Sequence, residues 1–179
     1  MVTLDGYYAG VDGDISWHNV TAGDEFGEFA NEQTGEFGMH IYGRVTYELM
    51  ASYWPTQEAL KSDPIIAPLM NNTPKIVFSK TLPEVKEGPS WKNITLFKDI
   101  DPIEVNKWKT AAKKDLVIFG SGTIVQQFTN LGLIDEYRLM VNPIILGKGK
   151  PLFTEPLKLK LLNTKIFKNG NVLLYYQPA

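Results

Sequence analysis

The chain has 179 residues, 44% apolar and 12% aromatic, which suits one globular domain with a substantial core and excludes a disordered or fibrous class. A formal net charge of -2 without a basic block argues against nucleic acid as a partner, and no run approaches the roughly 20 apolar residues a membrane helix needs. The N-terminus has neither a basic n-region nor an apolar h-region, so a cytoplasmic location is the default expectation. The absence of Cys excludes disulfides, thiolate nucleophiles and Cys-ligated zinc, and His18 and His40 lack a metal-ligand spacing, so no metal is expected.

In chain order, the first helical pattern covers 24–36, where Phe26, Phe29, Ala30 and the following Phe37 are spaced along one face. Strand-like runs rich in β-branched and aromatic residues follow at 38–42, 75–79, 93–97 and 116–119. Ahead of the last of these, Asp101-Pro102-Ile103-Glu104 signals a helix start, with Asp as cap, Pro at the first position and Glu placed for a capping box. Val105, Trp108 and Ala112 then make that helix's apolar stripe. A third helix is predicted over 123–131, its face formed by Ile124, Phe128 and Leu131, with Gly132 as the left-handed stop. Strands separated by crossover helices pair in parallel, so the first two-thirds of the chain reads as α/β. From Ile134 onward, runs at 136–145 and 171–176 are joined by turn residues alone, which predicts an antiparallel edge. Without linker composition or an internal repeat, residues 1–179 read as a single domain.

Two segments have the form that receives phosphate in α/β proteins, a strand end leading through glycine into a helix N-terminus with free backbone N–H groups. In the first, Met39-His40-Ile41-Tyr42-Gly43-Arg44-Val45-Thr46-Tyr47-Glu48, Gly43 admits close approach, Thr46 offers a hydroxyl and Arg44 a planar guanidinium. The second, Val117-Ile118-Phe119-Gly120-Ser121-Gly122-Thr123-Ile124, has a Gly-Ser-Gly turn suited to an anion-receiving concavity. It lacks the third glycine and distal acid of a Rossmann site, and either glycine turn taken alone serves equally well as a plain tight connection.

The order of these segments carries more than each one. GRxTYE after a strand, then Phe78-Ser79-Lys80, then a strand and GSGT resembles the dihydrofolate reductase superfamily in order and spacing. Thr3-Leu4-Asp5-Gly6-Tyr7 is similar to the SLDGY opening of the C-terminal reductase domain of the riboflavin-biosynthesis enzyme RibD and its relatives. Leu133-Ile134-Asp135-Glu136 and the segment from Asn142 to Phe153, with Leu146-Gly147-Lys148-Gly149-Lys150-Pro151-Leu152-Phe153, are similar to that branch's LIDE and LGxGxPLF signatures. The resemblance implies a dihydrofolate reductase-like three-layer fold, with a central, mostly parallel mixed sheet, flanking helices and an antiparallel C-terminal edge. Relatives usually carry a full apolar strand ahead of the SLDGY-like segment. Here Met1 almost coincides with it, so the expectation is a strand lying further upstream or a sheet lacking part of one.

The resemblance also implies NADPH as cofactor. It assigns Gly43, Arg44 and Thr46 to the phosphate region, Ser79 and Lys80 to the adenosine 2′-phosphate, and Gly120, Ser121, Gly122, Thr123 and Ile124 to the pyrophosphate and nicotinamide portion. For proton delivery the candidates are Asp5, in a loop expected to border the nicotinamide, and Asp24, Glu25 and Glu28 on the first helix. The alternatives are an Asp-Gly turn for Asp5, an N-cap for Asp24 and a solvated face for the glutamates. Trp17 and Tyr47 are expected to line the substrate cleft, with core or wall positions as the alternative. The implied activity is hydride transfer to a pteridine or ribosylaminopyrimidine, like that of 5-amino-6-(5-phosphoribosylamino)uracil reductase. Dihydrofolate reduction and a non-catalytic nucleotide-binding module are the alternatives. A homodimer is expected, with a small heterocycle as the only other partner.

Overall fold

The computed structural model describes residues 1–18 and 25–179. Its elements are β1 (Val2–Thr3), β2 (Tyr7–Ala9), α1 (Glu25–Glu36), β3 (Phe37–Gly43), α2 (Arg44–Tyr53), α3 (Gln57–Ser62), α4 (Ile66–Asn72), β4 (Lys75–Phe78), β5 (Ile94–Phe97), α5 (Pro102–Ala111), β6 (Asp115–Ile118), α6 (Gly122–Asn130), β7 (Tyr137–Asn142), β8 (Lys150–Pro151), β9 (Leu159–Ile166) and β10 (Val172–Pro178). They group into two compact units, one of Met1–Gly27 with Val125–Ala179 and one of Glu28–Ile124. Among the described residues no helix is long and apolar enough to cross a membrane.

In the Glu28–Ile124 unit, four strands pair in parallel in the order β5-β4-β3-β6, as the crossover helices require. The pleat sends alternate side chains to opposite faces. On one face Tyr42, Val77 and Leu96 pack with Tyr47 and Met50 of α2, Met70 of α4, and Trp91. On the other, Phe78 and Phe97 meet Trp108 of α5 at ring-centroid distances of 6.4 and 5.1 Å. Helices therefore cover both faces, and the layered α/β architecture follows.

The first face also holds two ionisable side chains. Register partners His40 and Lys75 are fully enclosed, at 0% and 1% exposure. The Lys75 ammonium donates to the carbonyls of Asn71 (2.9 Å), Thr73 (2.7 Å) and Lys92 (3.2 Å) and lies 4.4 Å from the Trp91 ring centroid. It thus caps the C-terminal end of α4, where a cation is favoured by the helix dipole. Burial pushes its pKa down to about 8. Burial, and secondarily the Lys75 charge, pushes His40 down to about 3, so its ring stays neutral, with Nδ1 3.2 Å from the Tyr42 hydroxyl.

In the other unit, β7, β10 and β9 form an antiparallel run in a four-stranded sheet of order β1-β7-β10-β9, with β1 parallel to β7. Helix α6 stops at Gly132 (φ 65°) as expected. Leu133 N–H bonds the Phe128 carbonyl and Gly132 N–H that of Thr129, the paired closure in which a left-handed glycine excels.

Several local expectations are corrected. Phe37 opens β3 instead of extending the first helix face, and Ala112 is an exposed C-cap outside the stripe of α5. Asp101 caps α5 through Ile103 N–H at 2.9 Å, but Glu104 pairs with Lys107 in place of a capping box. Helices α3 and α4 and strand β9 were not anticipated, the helices because each spans fewer than two full turns.

Candidate functional site

Parallel strands release their chains in the same direction, so β4, β3 and β6 open side by side along one carboxyl edge, within the Glu28–Ile124 unit. The two glycine turns there are joined. Gly43 N–H donates to Ser121 Oγ at 2.9 Å, and Thr46 Oγ1 donates to the Gly120 carbonyl at 3.4 Å. Gly120 has φ +61°, a left-handed conformation open to glycine at little cost. At Gly43, any Cβ would lie 3.1 Å from Cγ1 of Ile124, whose side chain is 4% exposed. The two turns thus interlock.

Helix α2 begins at Arg44 with neither a side-chain cap nor an acid in its first turn, and α6 begins at Gly122 likewise without an acid. Both leave backbone donors and the positive end of a helix dipole along this edge. Arg44 and Lys80 are exposed, each in a surface ion pair, Arg44 with Glu48 at 2.8 Å and Lys80 with Asp99 at 2.9 Å. Such pairs contribute about 0 to 1 kcal/mol and yield readily to a stronger anion. N–H groups, a guanidinium and an ammonium make a donor set suited to a phosphate-bearing ligand. Thr123 is exposed beside Gly122, whereas Ser121 is buried. Ser79, at 8% exposure, uses its Oγ to accept Thr81 and Leu82 N–H at 3.2 and 2.9 Å, shaping the turn after β4.

The remaining candidates are placed differently. Tyr47 is 5% exposed, and its hydroxyl donates to the Lys86 carbonyl (3.3 Å) while accepting Lys86 N–H (3.2 Å). It anchors the 82–91 segment over α2. A groove of about 690 Å³ runs beside that segment, bordered by Tyr47, Ser52, Leu82, Glu87 and Trp91. No motif flags this groove, because its residues are scattered between a helix face and a loop. In the other unit, Trp17 is half-buried, packed edge-on against His18 at 4.5 Å, with its indole N–H on the Asp14 carbonyl.

Of the four carboxylates, Asp5 accepts Thr3 Oγ1–H (2.6 Å), Leu146 N–H (3.3 Å) and Gly147 N–H (2.8 Å). These bonds, the Thr3 hydroxyl foremost, hold its pKa below the usual carboxylate value, as a turn clamp would have it. Glu25 accepts Lys168 N–H at 3.4 Å beside a cavity of about 200 Å³ lined by Phe26, Phe167 and Asn169. Glu28 is exposed on α1, and Asp24 lies outside the described residues.

The family model described as the RibD C-terminal domain matches residues 1–174. The uncharacterized protein YyaP of Bacillus subtilis strain 168 is 33% identical over 178 residues, covering 98% of this chain and 90% of its own. YwjB of the same organism, also uncharacterized, is 28% identical over 182 residues, covering 99% and 94%. Among solved structures, a protein provisionally named for riboflavin biosynthesis from Shewanella sp. PV-4 superposes with a TM-score of 0.74 at 24% identity, covering 99% of this chain and 95% of that one. A pyrimidine reductase-like protein from Corynebacterium diphtheriae gives 0.62 at 15% identity, covering 99% and 89%. At these identities the structures speak to fold.

Proposed function

The chain belongs to the RibD C-terminal domain family, with its dihydrofolate reductase-like fold, and from that premise we propose that it is an NADPH-dependent reductase of a ribosylaminopyrimidine- or pteridine-like heterocycle. The resemblance points most directly to a reaction like that of 5-amino-6-(5-phosphoribosylamino)uracil reductase. The observation that carries this reading is the pair of interlocked glycine turns, with two acid-free helix N-termini and the basic Arg44 and Lys80 along one sheet edge.

Bound nicotinamide supplies the hydride. The chain's own part is recognition: N–H groups at the starts of α2 and α6 receive phosphate oxygens, and Arg44 and Lys80 exchange their surface carboxylates for a 2′-phosphate. Arg44 is the sharper discriminator, since a charge-assisted bond of this kind is worth about 1.5 to 3 kcal/mol, roughly one to two decades of affinity. Proton delivery falls to Asp5, Asp24, Glu25 or Glu28. The bonds from Thr3, Leu146 and Gly147 favour the ionised form of Asp5, which counts against it as a proton donor.

Calorimetric titration with NADPH and NADH, followed by turnover on a pyrimidine and pterin panel, tests the reading. NADPH is expected to bind more tightly, and Arg44→Ala to weaken NADPH far more than NADH. Equal wild-type affinities defeat the NADPH assignment. Absence of binding defeats the reductase reading, and binding without turnover on the panel selects the non-catalytic module. Amide variants of the four carboxylates locate the proton source: the responsible one loses turnover while keeping NADPH affinity, and four unaffected variants assign the proton to water or substrate.

The reading includes a homodimer. Strand β9 is the edge of its sheet, with Leu161, Leu162 and Ile166 exposed by 50%, 45% and 74%, a surface prone to uncontrolled pairing if left bare. Light scattering is expected to return about twice the 20.2 kDa chain mass, and a strict monomer removes this part of the proposal.

A further inference from the structure

We propose that Ser121 is a positioning residue that locks the two glycine turns into a single phosphate cradle and does not itself bind the cofactor. The inference rests on the NADPH-reductase reading and deepens it at the same site.

Turn positions in a dinucleotide site usually contribute their own backbone N–H groups. Ser121 does something else with its side chain. It reaches across the carboxyl edge of the sheet to a residue 78 positions away and accepts the Gly43 N–H at 2.9 Å, in surroundings that leave Ser121 4% exposed. Gly43 is the N-cap of α2 and has no side-chain cap of its own, so Ser121 helps to fix where that helix begins. Gly43 N–H is buried at this point, and removing Ser121 Oγ leaves it without its acceptor unless the turn shifts.

The contacts around this bond act in the same sense. Ile124, in the first turn of α6, fills the space a Cβ on Gly43 would occupy, and Thr46, in the first turn of α2, donates to the Gly120 carbonyl. Each turn therefore holds a piece of the other helix's first turn. Two helix N-termini whose N–H groups must meet neighbouring phosphates gain from being held in one fixed relation, since a displacement of about 1 Å in a binding geometry can cost orders of magnitude. With its oxygen on Gly43 and its residue enclosed, Ser121 serves this alignment, whereas Arg44 and Lys80 stand exposed on the solvent side.

This assignment has a signature that separates alignment from recognition of the 2′-phosphate, while the enclosure of Ser121 and its bond to Gly43 N–H argue against a direct pyrophosphate contact. The pyrophosphate is common to NADPH and NADH, so loosening the joint weakens both by the same factor. Loss of a direct 2′-phosphate contact weakens NADPH alone. Ser121→Ala is expected to raise the dissociation constants of both cofactors together, by about tenfold. Thr46→Val, which removes the second link, is expected to act in the same direction by a smaller factor and guards against misfolding of the buried variant. Circular dichroism and thermal melting run alongside show whether each variant is folded at the titration temperature. Wild-type binding with unchanged affinities in both folded variants overturns the clamp alone. Weakening of NADPH only in Ser121→Ala also overturns it, assigning Ser121 a direct 2′-phosphate contact. Failure of the wild type to bind either cofactor instead overturns the reading on which the inference rests.

Discussion

Strands β3 and β4 perform different tasks where His40 and Lys75 are paired and at their carboxyl ends. His40, midway along β3, and Lys75, the first residue of β4, lie side by side in an apolar enclosure, where Lys75 caps α4 and the neutral His40 meets Tyr42. One residue beyond Tyr42 the same strand reaches Gly43, whose N–H is held by Ser121, and the following helix leaves donors uncapped. The contrast teaches that the same sheet supplies an enclosed polar interior, in which the Lys75 ammonium is engaged by three carbonyls while His40 Nε2 has no hydrogen-bond partner among the described residues, and an edge whose helix-start donors are left uncapped. The interior fixes the strands, and the edge uses the fixed strands to present N–H groups.

If that division is right, the largest effect on stability belongs to the interior. Lys75→Met keeps most of the stem but strips three carbonyls of their donor, the Asn71 one in a buried bond and those of Thr73 and Lys92 in part-buried ones, and is expected to destabilise the fold by about 2 to 3 kcal/mol in urea unfolding. A loss comparable to a surface substitution breaks the comparison.

Acid is the next probe. Because the His40 pKa falls from 6.5 to about 3 on folding, the unfolded chain takes up the proton first as the pH drops. The contribution is intact above pH 6.5 and is lost progressively toward pH 3, with a limiting slope of about 1.4 kcal/mol per pH unit. Denaturant midpoints of wild type and His40→Phe at pH 7 and pH 4 isolate it: the variant is expected to lose less stability over that window, and parallel losses remove His40 as the cause.

At the carboxyl edge the effects on stability shrink while those on binding grow. Gly43→Ala pushes a Cβ to 3.1 Å from Ile124 Cγ1 and is expected to cost about 1 to 2 kcal/mol, together with weaker binding of both NADPH and NADH. An unchanged melting temperature with unchanged affinities shows the joint to be slack. Smallest in stability is Arg44→Ala, which removes only the exposed pair with Glu48, worth about 0.3 to 0.5 kcal/mol. Thermal melting should barely register it, so a large drop in melting temperature places Arg44 with the interior and not with the ligand-facing edge.

Much of this arrangement was legible in the chain. Runs of β-branched and aromatic residues marked β3 to β6, and Asp101-Pro102 and Gly132 marked where α5 begins and α6 ends. The order of the GRxTYE, Phe-Ser-Lys and GSGT segments pointed to the family. These features are local, written in propensity, cap chemistry and period, and they survive without knowledge of what lies across the sheet. Glu104, nominated for a capping box, shows the limit even of local signals, since a lysine three residues on competed for it. Asp5, Tyr47 and Ser121 show the larger limit. As isolated residues they read as an acid, an aromatic wall and a ligand-facing hydroxyl. Their partners lie 142, 39 and 78 positions away, at Gly147, Lys86 and Gly43, and those partners turn them into clamps. Lys75 had no sequence signal at all, because a lysine in a strand reads as exposed until the end of α4 and the Trp91 ring close over it. Spacing along the chain determined which elements form. Only the tertiary structure decided which polar groups are already satisfied and which remain open to a ligand, since a hydrogen bond depends on the group brought within 3 Å and its sequence separation leaves no trace in either residue.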